Sequence, residues 1–81
     1  MDIQINYIKH GFDGIYGTTT YIFKAVIDGW KVEEDMRTFA NDSIANKNVA
    51  AYFTNFYSKW AYRTHKIENA NVTVIEGKWW E

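Results

Sequence analysis

Polar and apolar positions alternate along the start of the chain. From Asp2 to Lys9, Ile3, Ile5 and Tyr7 fall on one side and Asp2, Gln4 and Asn6 on the other, the period of a strand with one buried face. His10 to Gly17 (HGFDGIYG) holds three glycines and reads as a wide hairpin loop or bulged turn. Thr18 to Ile27 (TTTYIFKAVI) is β-branched and aromatic, a second strand. Asp28-Gly29 suits a type I′ hairpin turn, whose two central residues both need φ > 0. Trp30 to Glu33 then returns as a third strand.

Side-chain pairing sets an expected register. A two-residue Asp28-Gly29 loop puts Ile27 opposite Trp30 and Ala25 opposite Val32, on the face of Tyr21 and Phe23. It puts Lys24 opposite Glu33 on the other face. In the first hairpin, burying Ile3, Ile5 and Tyr7 with Phe23 needs an offset of one residue. A bulge or longer loop is therefore expected within Gly11–Gly17.

Beyond Glu33 the period changes. Acidic residues 33–35 precede Met36, Phe39 and Ala40 at helical spacing, so Asp35–Asn41 reads as a short helix with acids at its positive end. Asn41-Asp42-Ser43 reads as a break and an N-cap. Ser43 to Ile67 is then one long amphipathic helix. At 100° per residue, Ala45, Val49, Phe53, Phe56 and Trp60 lie within about 40° of one line, the expected core stripe. Glu68 to Asn71 turns the chain, Val72–Ile75 is a last strand, and Gly77–Glu81 extends it or peels away. The expectation is an α+β two-layer sandwich: an antiparallel sheet in β-β-β-α-α-β order, packed on one long amphipathic helix. The last strand is expected beside the first, with the third strand's edge as the alternative.

Eighty-one residues suffice for one small domain, 1–81, whose core has to be efficient. Four Trp, six Tyr and five Phe meet that need, because each buried ring removes roughly 150–250 Å² from water. Without cysteine the chain has no disulfide framework and no thiolate metal site, which fits a reducing, cytoplasmic setting. The first ten residues lack a basic stretch followed by an apolar run, so no signal peptide is expected. No apolar run is long enough to span a membrane as a helix.

Net charge is −1, which speaks against a chain devoted mainly to nucleic acid. The distribution is uneven: residues 1–42 carry seven acids and four bases, and residues 43–81 carry five bases and three acids.

Three features are candidate contact surfaces. Asn48, Tyr52, Asn55, Lys59, Tyr62 and Lys66, with Arg63 beside them, form a helix flank roughly 90° from the core stripe. It mixes rings with positive charge, a pattern that fits a protein partner, a nucleic acid or an ordinary solvated face. Trp79-Trp80 offers two adjacent indoles for a partner or a homodimer contact, or for clamping the terminus onto the core. Phe12, Ile15 and Tyr16 place apolar side chains on the glycine-rich loop. That loop joins two strands and lacks a Lys-Ser/Thr pair, so it is not a phosphate cradle.

Enzymatic readings find no support in the residues. His10 and His65 have no carboxylate or hydroxyl at a pairing spacing, and no metal-ligand spacing occurs, so no cofactor or metal is expected. The reading is a small non-enzymatic binding protein that acts by protein–protein interaction. As an inhibitor or adaptor it would occupy a surface of a larger macromolecule, with an accessory protein of a mobile element as one example. Its expected contacts are Tyr52, Asn55, Lys59, Tyr62, Arg63, Lys66, Phe12, Tyr16, Trp79 and Trp80. The alternative is a nucleic-acid-binding protein using the same helix flank.

Overall fold

In a computed structural model, residues 1–77 are described. Four strands, β1 (Asp2–Asp13), β2 (Thr18–Ile27), β3 (Lys31–Ala40) and β4 (Asn71–Glu76), form one sheet in the order β3-β2-β1-β4. Between β3 and β4 come α1 (Ile44–Lys47) and α2 (Val49–His65). The α+β sandwich and the place of the last strand beside the first agree with the pattern in the sequence.

The first hairpin carries the expected one-residue offset, but the bulge sits at His10, just before the expected Gly11–Gly17 range. Ile3 pairs with Ile27, Ile5 with Ala25 and Tyr7 with Phe23, and the register shifts by one residue between Lys9 and Gly11. The bulge brings Ile3, Ile5, Phe23 and Ala25 onto one buried face. Asp13 closes the turn, its carboxylate accepting from the Ile15 and Tyr16 N–H groups at 2.9 and 3.2 Å.

The second hairpin departs from expectation by one residue. Asp28 (φ 51°) and Gly29 (φ 79°) adopt the left-handed conformations a type I′ turn requires. Strand pairing, however, resumes only at Lys31, opposite Ile27. Trp30 stays in the loop, its N–H reaching the Ile27 carbonyl at 3.3 Å, and is 80% exposed. Because side chains alternate faces, this single step inverts β3. Val32 now opposes Val26 on the open face, where Lys24 meets Glu34 at 3.5 Å rather than Glu33. Lys31, Glu33, Asp35 and Arg37 turn to the face that bears α2.

The short helix expected at Asp35–Asn41 is instead the second half of β3. β2 needs a partner along its whole length, and β3 supplies one without interruption from Lys31 to Ala40. Cross-strand pairing outweighs a weak helical spacing. Phe39 enters the core while Met36 lies on the open face, 55% exposed.

The long helix is also interrupted. Ser43 caps α1 through its hydroxyl, which accepts from the Asn46 N–H at 2.9 Å. Asn48 leaves helical geometry (φ −140°, ψ 71°) and caps α2, accepting from the Ala51 N–H. Lys66 ends α2 in the left-handed region, so Ile67 lies beyond the helix.

The buried residues of α2 are Val49, Phe53, Tyr57 and Ala61. Their line is rotated about 60° from the stripe expected in the sequence. Phe56 is thereby moved off the core, and Trp60 and Ala45 pack only at its margin. Phe53 sits at the centre, 1% exposed, with Phe23 at 4.6 Å and Tyr7 at 5.9 Å between ring centroids.

The sheet is mixed rather than antiparallel, because β4 runs parallel to β1 from Asp2–Asn71 to Tyr7–Glu76. Seventeen helical residues span about 25 Å. That length carries the chain back to the end of the sheet where β1 begins, so β4 must run in the same direction as β1. The backbone of α2 comes nearest to β4, at the opposite edge from β3. β3 is therefore left partly uncovered.

Candidate partner-binding site

The uncovered part of β3 and the near side of α2 bound a trough of about 430 Å³. Its lining joins Glu33, Asp35 and Arg37 of β3 to Phe56, Tyr57 and Trp60 of α2, with Phe23 beneath. Two displacements build it. The extra loop residue turns the charged side of β3 inward, and the roll of α2 turns Phe56 and Trp60 toward that strand.

Each wall is held from behind. Tyr52 packs edge-on against Phe39 at 4.8 Å and lies nearly parallel to Phe56 at 6.1 Å, which supports Phe56 from behind. The Arg37 guanidinium sits 5.2 Å from the Phe56 ring centroid, and its buried Nε has no hydrogen-bond partner among the described residues. Trp60 stands edge-on between Tyr57 (5.9 Å) and His65 (5.2 Å).

The floor is polar at one point. Burial pushes the Tyr57 hydroxyl above its ordinary pKa, and the neighbouring Glu33 carboxylate adds to the rise. Asp35 acts in the same direction and Arg37 opposes it. Glu33 lines the trough beside Tyr57 and also meets Lys31 at 3.6 Å. Burial and the nearby carboxylates thus both favour the protonated form of Tyr57.

Beyond the Phe56–Trp60 ridge the charge changes sign. Lys59 and Arg63 line a smaller hollow of about 160 Å³ with Phe56, Trp60 and Thr64. The ridge therefore has the carboxylates of Glu33 and Asp35 beside Arg37 on its β3 side and two cations on its helix side. Half-exposed rings flanked by charge can fill a partner's pocket while the charges fix orientation.

The residues singled out in the sequence are not gathered in one place. Tyr52 is half-buried behind the trough, and Asn55 and Tyr62 are exposed on the outer side of α2. Lys66 belongs to the helix cap, its backbone N–H bonded to the Tyr62 carbonyl at 2.9 Å and its ammonium 5.8 Å from the Tyr62 ring. Of the flank, Lys59 and Arg63 adjoin the ridge. Phe12 and Tyr16 are 69% and 79% exposed at the β1–β2 turn, away from the residues that line the trough. Trp79 and Trp80 lie outside the described residues.

Sequence reasoning missed Glu33, Asp35 and Arg37, which looked like a helix start, and assigned Phe56 and Trp60 to the core. One signal was present: Lys31, Glu33, Asp35 and Arg37 recur every second residue, with Val32 and Met36 among the intervening positions. Among the described residues no group of three or more His, Cys, Asp or Glu side chains is placed to hold a metal ion. None of the described helices is long and apolar enough to cross a membrane. Compared with known proteins, the chain matches no family model, no curated protein and no solved structure.

Proposed function

We propose that this chain is a non-enzymatic binding protein of the cytoplasm, acting as an inhibitor or adaptor by covering part of a larger protein. The observation that supports this reading most is the ridge of Phe56 and Trp60 at the lip of the trough. Two neighbouring rings there are held by Tyr52, Arg37 and Tyr57 yet remain reachable from solvent. Rigid aromatic anchors with a charged rim dominate protein interfaces, because they desolvate large area at small entropic cost. The Glu33 and Asp35 carboxylates beside the ridge disfavour a phosphate backbone there, so a protein partner is preferred to nucleic acid.

The test compares wild type with Phe56→Ser, Trp60→Ser and a Lys59→Gln/Arg63→Gln variant. Each serves as bait in a lysate of the host, and each is titrated into labelled random DNA and RNA at low and near-physiological salt. The expected result is one specific protein partner, lost with either ridge variant and retained with the charge variant. Loss of a ridge anchor should weaken binding by about 2 kcal/mol or more. Nucleic-acid binding that falls steeply with salt and vanishes in the charge variant would overturn the proposal. A dimer by light scattering, disrupted by Trp60→Ser, would instead make the partner a second copy.

A further inference from the structure

Resting on the protein-binding reading, we infer that β3 and the trough behind it take an extended, basic segment of the partner as a fifth strand. The first ground is the backbone. Beyond the last ladder pair, Thr18–Ala40, the Asn41 N–H donates to the Gly17 carbonyl at 2.7 Å, which sets the phase of the antiparallel ladder. Phe39, Arg37, Asp35, Glu33 and Lys31 therefore exchange their backbone bonds with β2. The N–H and C=O groups of Val32, Glu34, Met36 and Thr38 point away from the sheet. Met36 bears this out, since its N–H is held by the Asp35 carboxylate at 2.8 Å. Apart from the Met36 N–H, which Asp35 already holds, this outward row of donors and acceptors is a template for another strand.

The second ground is the space beside that edge. A strand added about 4.8 Å from β3 would send alternate side chains into the trough and the others toward the open face. Those entering the trough would meet Asp35, Glu33 and the rings of Phe56 and Trp60, with Arg37 and its guanidinium on Phe56 as the trough's one cation among the lining residues. Those on the open face would lie beside Val32 and Met36, both exposed.

The third ground is charge. Glu34 pairs with Lys24 and Glu33 with Lys31. Asp35 is exposed and has no cationic partner among the described residues. A lysine or arginine in the added strand would supply that partner while stacking against Trp60. An acidic strand would face the Glu33 and Asp35 carboxylates. The segment should therefore alternate basic and apolar residues.

The probe is a fluorescein-labelled nonapeptide alternating arginine and valine, compared with the same peptide carrying glutamate for arginine. Binding is followed by anisotropy, and hydrogen exchange of individual amides is followed by NMR. The arginine peptide should bind and slow exchange at Val32, Glu34, Met36 and Thr38, and the glutamate peptide should not bind. Asp35→Asn keeps an acceptor for Met36 yet should weaken the arginine peptide about tenfold, the loss of one charge-assisted contact. Lys9→Gln, an exposed position on β1 with β2 between it and β3, should leave the affinity unchanged.

Equal binding of both peptides, binding without protection of those amides, or no binding would each overturn strand addition. A dimer that protects the same amides without peptide would also overturn it. If a ridge-dependent partner were found while the peptides failed, the protein-binding reading would stand and this inference alone would fall.

Discussion

Replacing Phe53 and Phe56 by alanine, one at a time, measures how far α2 is rolled, and the trough depends on that roll. The two residues lie three apart on one helix and belong to the same stripe in the sequence. In the structure Phe53 is 1% exposed, enclosed by Phe23, Tyr7, Tyr52 and the sheet. Truncating it leaves a cavity that closed packing cannot refill, at a cost of about 3–5 kcal/mol. Phe56 is 37% exposed and faces a trough open to water. It loses about three-fifths of a full burial term and leaves no closed cavity, about 1.5 kcal/mol, including its contact with Arg37.

Thermal unfolding by circular dichroism reads the difference. For a domain of this size 1 kcal/mol lowers Tm by roughly 4–8 °C. Phe53→Ala should therefore fall by about 15 °C or more, and Phe56→Ala by about 10 °C or less. Equal losses, or a larger loss for Phe56→Ala, would refute the helix orientation and the trough with it.

Three further outcomes follow from the same structure. Trp30→Ser should change stability by no more than about 0.5 kcal/mol in urea unfolding, since Trp30 is 80% exposed in the loop. The two-residue turn would have buried it and made the change costly. Gly29→Ala should destabilise by about 1 kcal/mol, because an alanine resists the φ of 79° although nothing crowds its Cβ. Tyr57 gives a pH dependence. Its raised pKa means that the folded state keeps a proton which the unfolded chain releases above about pH 10. The corresponding stability is complete below that pH and is lost as pH climbs toward the folded value. Tyr57→Phe should flatten that decline without abolishing it, since burial raises Tyr7 and Tyr21 as well. Unfolding curves for wild type and variant between neutral pH and pH 11 provide the check.

Most of what the chain declares locally holds, although the helical spacing of Met36, Phe39 and Ala40 proved to be strand and the long helix breaks at Asn48. Alternation in Asp2–Lys9 and Thr18–Ile27 marks the first two strands. The need to bury Ile5 with Phe23 implies a bulge, and Asp28-Gly29 marks a turn with two positive φ angles. Ser43 marks a helix start, and the region from Val49 onward marks an amphipathic helix. Each signal arises within a few residues, where steric limits and backbone hydrogen bonding leave few choices. The candidate site depends on features that no short window contains. Whether Trp30 belongs to loop or strand was decided by how all of β3 fits β2, and that choice turned Glu33, Asp35 and Arg37 toward the helix. The roll of α2 was decided by which rings fill the space above β1 and β2: Phe53 and Tyr57 do so, with Ala61 fitting a closer approach. The direction of β4 was decided by where a helix of that length returns the chain. Register, roll and strand direction are long-range quantities. They minimise exposed area and unpaired backbone over the whole sheet, so only the assembled tertiary structure selects them.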